Sequence, residues 1–346
     1  MALRIDAYQG DAPAASFAVP ADLEAREPAE VRGSGRDDVR LLVTSGSSGE
    51  ATHARFADLP AFLAPGDVVV LNTSATVPSK LLARSQAGEQ FVVHVSTRWS
   101  DGRCVVEPRA FEPAAGERAT LDAGASLMFL SRFRGSARLW QARFTGVDDF
   151  LEFLHRWGKP IAYPHLRRAW PIETYQNVYA TEAGSAEMAS AGRPFTRGLL
   201  GRLRAVGVAV TTIVLHTGVS SPERDERPYP EQFRVCAEAA GRIAQARARG
   251  GRVIAVGTTV VRALESAVDR RGTVVPSEGW TDVFLSGREP LHTVDGMITG
   301  FHEPKSTHLM MLEALAGAEH VRKAYASALA GRYLWHEFGD SHLLLR

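Results

Sequence analysis

Apolar positions along this chain fall into two rhythms. Phe91 to Val95, Arg103 to Val106, Ser126 to Arg132 and Ala137 to Phe144 are short alternating runs, punctuated by Asp101-Gly102 and Gly135-Ser136, with no helical period between them. That pattern predicts a small all-β module, a barrel, over residues 78–146. From residue 208 onward, short solid apolar runs alternate with helical periodicity, which predicts a layered, mainly parallel or mixed sheet. The fold class is therefore α/β, with residues 1–77 and 147–346 forming one discontinuous domain around the inserted barrel.

Within the first segment, Arg40 to Thr44 and Thr52 to Ala57 flank a Gly/Ser-rich turn and predict a hairpin. Val68 to Leu71 reads as a buried strand, with Asn72 at its end. Asp148 or Asp149 caps a helix through Trp157, and Thr196 caps another that ends at Gly207. Val208 to Leu215 is a strand ending at His216. A helix is predicted from about Glu231 to Arg249, then a helix over 259–270, a strand over 281–286, and helices over 303–316 and 319–331.

The stretch around which this is organised is Arg252 to Asp269. Val253 to Val256 is a solid apolar run, the signature of a strand buried on both faces. Gly257 lets the backbone turn, and Thr258 or Thr259 is placed to cap the next helix. Val260, Leu264 and Val268 repeat at helical spacing, and Arg262 and Glu265 stand three apart, in reach of each other. A strand that ends in Gly-Thr-Thr at a helix start presents amide groups and a positive dipole end to an anionic ligand. Spacing alone does not separate that use from an ordinary strand–turn–helix unit.

Composition narrows the class. With 45% hydrophobic and 23% charged residues in 346, the chain is an ordinary globular protein about two domains long. Lys plus Arg number 40 against 39 for Asp plus Glu, so a nucleic-acid surface has to be a local patch. The arginines at 242, 247, 249 and 252, and those at 193, 197, 202 and 204, are the candidates. Cys104 and Cys236 are the only cysteines, which excludes a disulfide framework and any multi-cysteine metal site. Neither a bilayer-length apolar run nor a signal-peptide core is present, so the expectation is a cytoplasmic protein without membrane attachment.

Three blocks carry a resemblance: Val253–Ala267 (VIAVGTTVVRALESA), Gly279–Gly317 (GWTDVFLSGREPLHTVDGMITGFHEPKSTHLMMLEALAG) and Ile172–Gly184 (IETYQNVYATEAG). LPAFLAPGDVVVLN, ending at Asn72, and the run from Arg40 to Val43 add to it. The chain resembles the S-adenosylmethionine:tRNA ribosyltransferase-isomerase family of queuosine biosynthesis, in order from about residue 17 to 344. The resemblance implies an α/β domain interrupted by a β-barrel. It also implies transfer of the ribosyl unit of S-adenosylmethionine to the aminomethyl group of a 7-deazaguanine base in tRNA. Adenine and methionine leave, the product is epoxyqueuosine, and no metal is required. A monomer is expected.

That chemistry needs a base for the ribose C5′ proton beside the sulfonium, a proton donor for adenine, and partners for the methionine carboxylate. Gly257, Thr258, Thr259 and Arg262 are candidates for the carboxylate or a ribose hydroxyl. His302, Lys305, Ser306 and Thr307, with Pro304 near the first turn, form a second expected helix start offering cation, hydroxyl and amide donors. His216, ending a strand, is a candidate acid or base because its ordinary pKa lies near operating pH. Asn72 either contacts ligand or closes its own loop. Glu231 is a further acidic candidate at a helix start, and Tyr175 with Gln176 is a minor candidate for base stacking.

Five polar loops depart from the family pattern. Thr73-Ser74-Ala75 replaces Asp-Thr-Arg, and Thr217 to Pro222 replaces Val-Gly-x-Gly-Thr-Phe. Pro228-Tyr229-Pro230-Glu231 replaces Met-His-Ser-Glu. Ala191 to Phe195 replaces Ala-Gly-Leu-His-Phe, and Gly300 to Pro304 replaces Asn-Phe-His-Leu-Pro. Three readings stay open at this level: the tRNA-modifying enzyme, a paralogue using S-adenosylmethionine with a small-molecule acceptor, and a non-catalytic binder of S-adenosylmethionine or RNA.

Overall fold

The computed structural model describes residues 17–46, 50–134, 136–219, 228–285, 291–304 and 306–346. Its centre is a nine-stranded mixed sheet. Four neighbouring strands, Ala209–Leu215, Val68–Asn72, Val253–Val256 and Gly296–Gly300, run parallel. Glu231–Val235 and Ser277–Thr281 extend one side in antiparallel fashion. On the other side Ser341–Leu345 pairs antiparallel with Gly296–Gly300 and parallel with Arg40–Ser45, whose hairpin partner Glu50–Arg55 forms the edge.

The solid apolar runs are explained by two covered faces. Val68, Val70, Val253 and Ala255 join one core, packed by helices Ala237–Ala248, Thr258–Ser266, Thr307–Ala316 and Ala318–Ala330. Val69, Leu71, Ile254 and Val256 point the other way, into a second core with helix Arg197–Ala205 and the 3₁₀ turn Phe56–Phe62. Successive side chains in a strand alternate faces, so a strand between two helical layers has to be apolar throughout.

The alternating region closes into a six-stranded barrel. Around it run Trp140–Thr145, Arg103–Arg109, Gln90–Arg98, Lys80–Ser85, Arg118–Thr120 and Ser126–Arg132. Phe129, Leu127, Val93 and Ala142 fill its interior at no more than 1% exposure. A bulge between Val95 and Thr97 turns Ser96 out of the barrel ladder toward the large domain.

Several elements differ from the sequence-based expectation. Glu231–Val235 is a strand, and the helix begins only at Ala237. Glu-Gln-Phe-Arg-Val alternates polar and apolar residues, and that period of two buries Phe233 and Val235 while leaving Gln232 and Arg234 exposed. Glu231 therefore has no helix dipole to complement. The expected strand over 281–286 lies earlier, at Ser277–Thr281, and Lys80–Ser85 and Arg118–Thr120 are additional strands. Arg262 does not pair with Glu265, which instead accepts from the backbone N–H groups of His292 and Thr293. Asp149 and Thr196 cap their helices as expected.

Candidate active site

The C-terminal ends of the four parallel strands lie along one edge, the usual ligand side of such a sheet. Asn72 is the last residue of one of these strands, and His216, Gly257 and the Phe301–His302 pair directly follow the other three. Above them is a cavity of about 600 Å³, with Ser96 and Thr97 of the barrel on its opposite wall.

Gly257 turns the chain from strand to helix at φ 84 and ψ 162, a region open essentially to glycine, and its N–H donates to Ile298 (2.8 Å). Neither threonine caps the helix; Thr258 and Thr259 are its first two residues, and among the described residues no side chain caps it. Gly257, Thr258 and Thr259 of that opening turn line the cavity, so the positive end of the helix dipole lies at its wall. The second opening begins later than expected. Ser306 is the cap, accepting from the N–H of Leu309, and Thr307 is the first helical residue. His302 and Pro304 precede the helix instead of beginning it. Ser306, Thr307 and His302 line the same cavity as Thr258 and Thr259, so the two helix openings converge. Lys305 lies outside the described residues.

His302 stacks on His308, with ring centroids 3.7 Å apart, and His308 shares a 2.7 Å hydrogen bond with the Thr299 hydroxyl. Burial pushes His302 down to about 4, with the Glu337 carboxylate opposing and His336 adding to the shift. Burial, and then His302 beside it, hold His308 well below the ordinary histidine range. Both imidazoles are thus neutral at pH 7, a stack that accepts or donates hydrogen bonds without repelling a cationic sulfonium.

Other candidates serve the walls. Arg262, 7% exposed, is bound by the Glu231 carboxylate and donates to the carbonyls of Val283 (3.1 Å) and Thr281 (3.2 Å). Glu231 in turn accepts from the Gly218 N–H (2.8 Å). This pair holds the loop after His216 to the helix after Gly257, and its charges neutralise one another. Asn72 lines the cavity, and its side chain donates to the Leu215 carbonyl (2.8 Å) and accepts from the N–H groups of Leu215 and Ser74, closing its own loop. His216 is not among the cavity-lining residues. Its Nδ1 lies 2.7 Å from the Ser74 hydroxyl, which also meets Ser185 (2.6 Å). Burial lowers the His216 pKa, against the pull of Glu182.

The cavity also takes residues that the sequence reading did not single out: Ser96 and Thr97 from the barrel, Tyr163, Tyr179, Glu187 and Glu337. Residues 160–194 form a loop-like stretch rich in aromatic residues, the aromatic loop, in which Tyr163 and Tyr179 reach the cavity, whereas Tyr175 is packed away at 2% exposure and Gln176 ties itself to the backbone of Thr76 (3.0 and 2.6 Å). Of the basic candidates, Arg252 is bound to buried Asp67 (2.6 Å), Arg193 to Glu30 (2.9 Å) and Arg242 to Glu238 (3.0 Å). Arg197, Arg204 and Arg249 remain exposed.

A cavity at the carboxyl edge of the parallel strands, lined by two helix openings and an inserted barrel, places this chain among α/β proteins with a ligand-sized cleft at the usual binding edge of the sheet. The chain belongs to the family described as queuosine biosynthesis protein, whose model matches residues 14–344. It is 39% identical over 343 residues to the S-adenosylmethionine:tRNA ribosyltransferase-isomerase of Symbiobacterium thermophilum, covering 95% of this chain and 98% of that one. It is 36% identical over 342 residues to the protein of the same name from Pelotomaculum thermopropionicum, with the same coverage. The crystal structure of an S-adenosylmethionine tRNA ribosyltransferase from Thermotoga maritima matches with a TM-score of 0.54 and 28% identity, over 95% of this chain and 99% of that one.

Proposed function

We propose that this chain is a transferase-isomerase that moves the ribosyl group of S-adenosylmethionine onto the 7-aminomethyl-7-deazaguanine base of a tRNA, in the cytoplasm. The observation that carries the reading is the convergence of the Thr258 and Ser306 helix openings on one cavity of about 600 Å³, a volume suited to a nucleoside of this size. The amides of the two openings supply partners for the methionine carboxylate and the ribose hydroxyls. The neutral His302–His308 stack is the proton-handling group next to them, with His302 exchanging a proton with the ribose C5′ or with departing adenine. Glu231 and Arg262 act through each other as positioning residues, and His216 positions the strand end through Ser74. Full-length relatives with the same name support the reaction class.

The test is product analysis of the purified protein with S-adenosylmethionine, with and without tRNA bearing the deazaguanine base. Adenine and methionine formed only with that tRNA are the expected result. The same products with a small-molecule acceptor alone identify a paralogue, and unreacted ligand a binding protein. S-adenosylhomocysteine marks methyl transfer and overturns the reading.

A further inference from the structure

We infer that His165, His336 and Glu337 form a binding site for a divalent transition-metal cation of the zinc class at the rim of the cavity. The reaction proposed above needs no metal, and the inference stands or falls separately from it.

Two imidazoles and a carboxylate are a donor set suited to zinc, and imidazole favours such borderline ions over magnesium or calcium. The donor atoms of the three residues all lie within 4.8 Å of one another. They come from distant parts of the chain. His165 sits in the aromatic loop, while His336 and Glu337 follow the last helix. The His336 N–H donates to the Phe301 carbonyl (3.2 Å), which fixes that end of the cluster. The His165 ring stacks on His336 at 4.6 Å and on Tyr163 at 5.9 Å.

The contact between His165 and Glu337 points to a shared ligand. His165 Nε2 and Glu337 Oε2, both buried, approach to 3.1 Å, close enough to attract one another, but among the described residues neither atom makes a hydrogen bond of standard geometry. A buried imidazole–carboxylate contact normally directs an N–H at the oxygen, because an unsatisfied buried polar atom is costly. Two donors that meet side by side without that alignment suit an ion bridging them. Zinc–ligand distances of about 2.0–2.2 Å place donors roughly 3.4 Å apart; the His165–Glu337 pair at 3.1 Å already meets that spacing, and any separation at the 4.8 Å limit has to shorten by about 1.4 Å. Glu303, whose carboxylate lies 3.6 Å from His336, offers a further oxygen donor. Glu337 and Glu303 also line the cavity, so a bound cation cancels negative charge at its wall. It also ties the aromatic loop to the segment after the last helix.

The experiment uses the whole chain, stripped with a chelator, dialysed, and titrated with Zn(II) against a chromophoric competitor, with Co(II) as a spectroscopic substitute. The wild type is expected to take up one equivalent and to give the intense visible bands of four-coordinate Co(II). His165→Ala, His336→Ala and the near-isosteric Glu337→Gln are each expected to weaken binding by more than about tenfold. Circular dichroism of each metal-free variant checks that it is folded, and Glu337→Gln carries the test if the histidine variants are not. No uptake by the wild type at micromolar metal overturns the inference. So does uptake with unchanged affinity in the folded variants.

Discussion

At the scale of single residues, the Arg262–Glu231 pair illustrates how a polar group on the cavity wall is consumed by structure. Both side chains are largely buried, at 8% and 14% exposure. Removing one charge strands the other, so Glu231→Gln is expected to cost about 3 kcal/mol, read as a lower denaturant midpoint. The double variant Glu231→Gln, Arg262→Met is expected to recover most of that loss; a double variant as unstable as the single would refute the pairing argument. The buried histidines give a pH dependence. His302 is held down to about 4 and His342 to about 3, both chiefly by burial, while in the unfolded chain each protonates near 6.5. Between those values the unfolded state binds more protons, so stability present above about pH 6.5 declines as pH falls toward 4. Chemical denaturation at pH 7 and pH 5 measures the slope, and His302→Asn is expected to make it shallower.

At the scale of elements, the strand–turn–helix at Val253–Ser266 depends on one residue. Gly257→Ala puts a side chain into a glycine-only backbone region, with its first carbon 3.2 Å from that of Ala191. A cost of about 1–3 kcal/mol is expected, together with weaker S-adenosylmethionine binding, measured by thermal melting and calorimetry. An alanine variant with wild-type melting and affinity would show that this turn is not strained. This element was legible from the sequence because its signals are local: a solid apolar run, a glycine, then helical spacing. Glu231–Val235 was not, because five alternating residues run straight into an alanine-rich helix and share its helix-forming composition. Ser306 as the true cap was likewise hidden behind Pro304. Tyr175 and Tyr179 look alike in the sequence, and only tertiary packing buries the first and turns the second to the cavity. The wall contributed by Ser96, and the approach of Glu337, have no local signal at all, since they arise from a bulge and from contacts between distant segments.

At the scale of the whole molecule, the barrel matters as a wall. The Ser96 hydroxyl accepts from the Val219 N–H at 2.8 Å, and a Cβ added to Gly218 would come within 2.6 Å of that hydroxyl. Gly218→Val is expected to wedge the barrel outward and raise KM for S-adenosylmethionine several-fold with an unchanged far-UV spectrum. An unaltered KM would remove the barrel from any role in closing the site.

The placement of Ser341–Leu345 between Gly296–Gly300 and the Arg40–Ser45 hairpin also has a bearing on biosynthesis. Arg40 and its partner Asp340 are separated by 300 positions. At about 5–20 residues per second a ribosome needs roughly 15–60 s to cover that distance. Throughout that interval the early hairpin has emerged without the neighbour that completes its ladder, leaving an open strand edge of the kind that invites foreign pairing. The ladder that buries this edge can close only once Ser341–Leu345 has been synthesised.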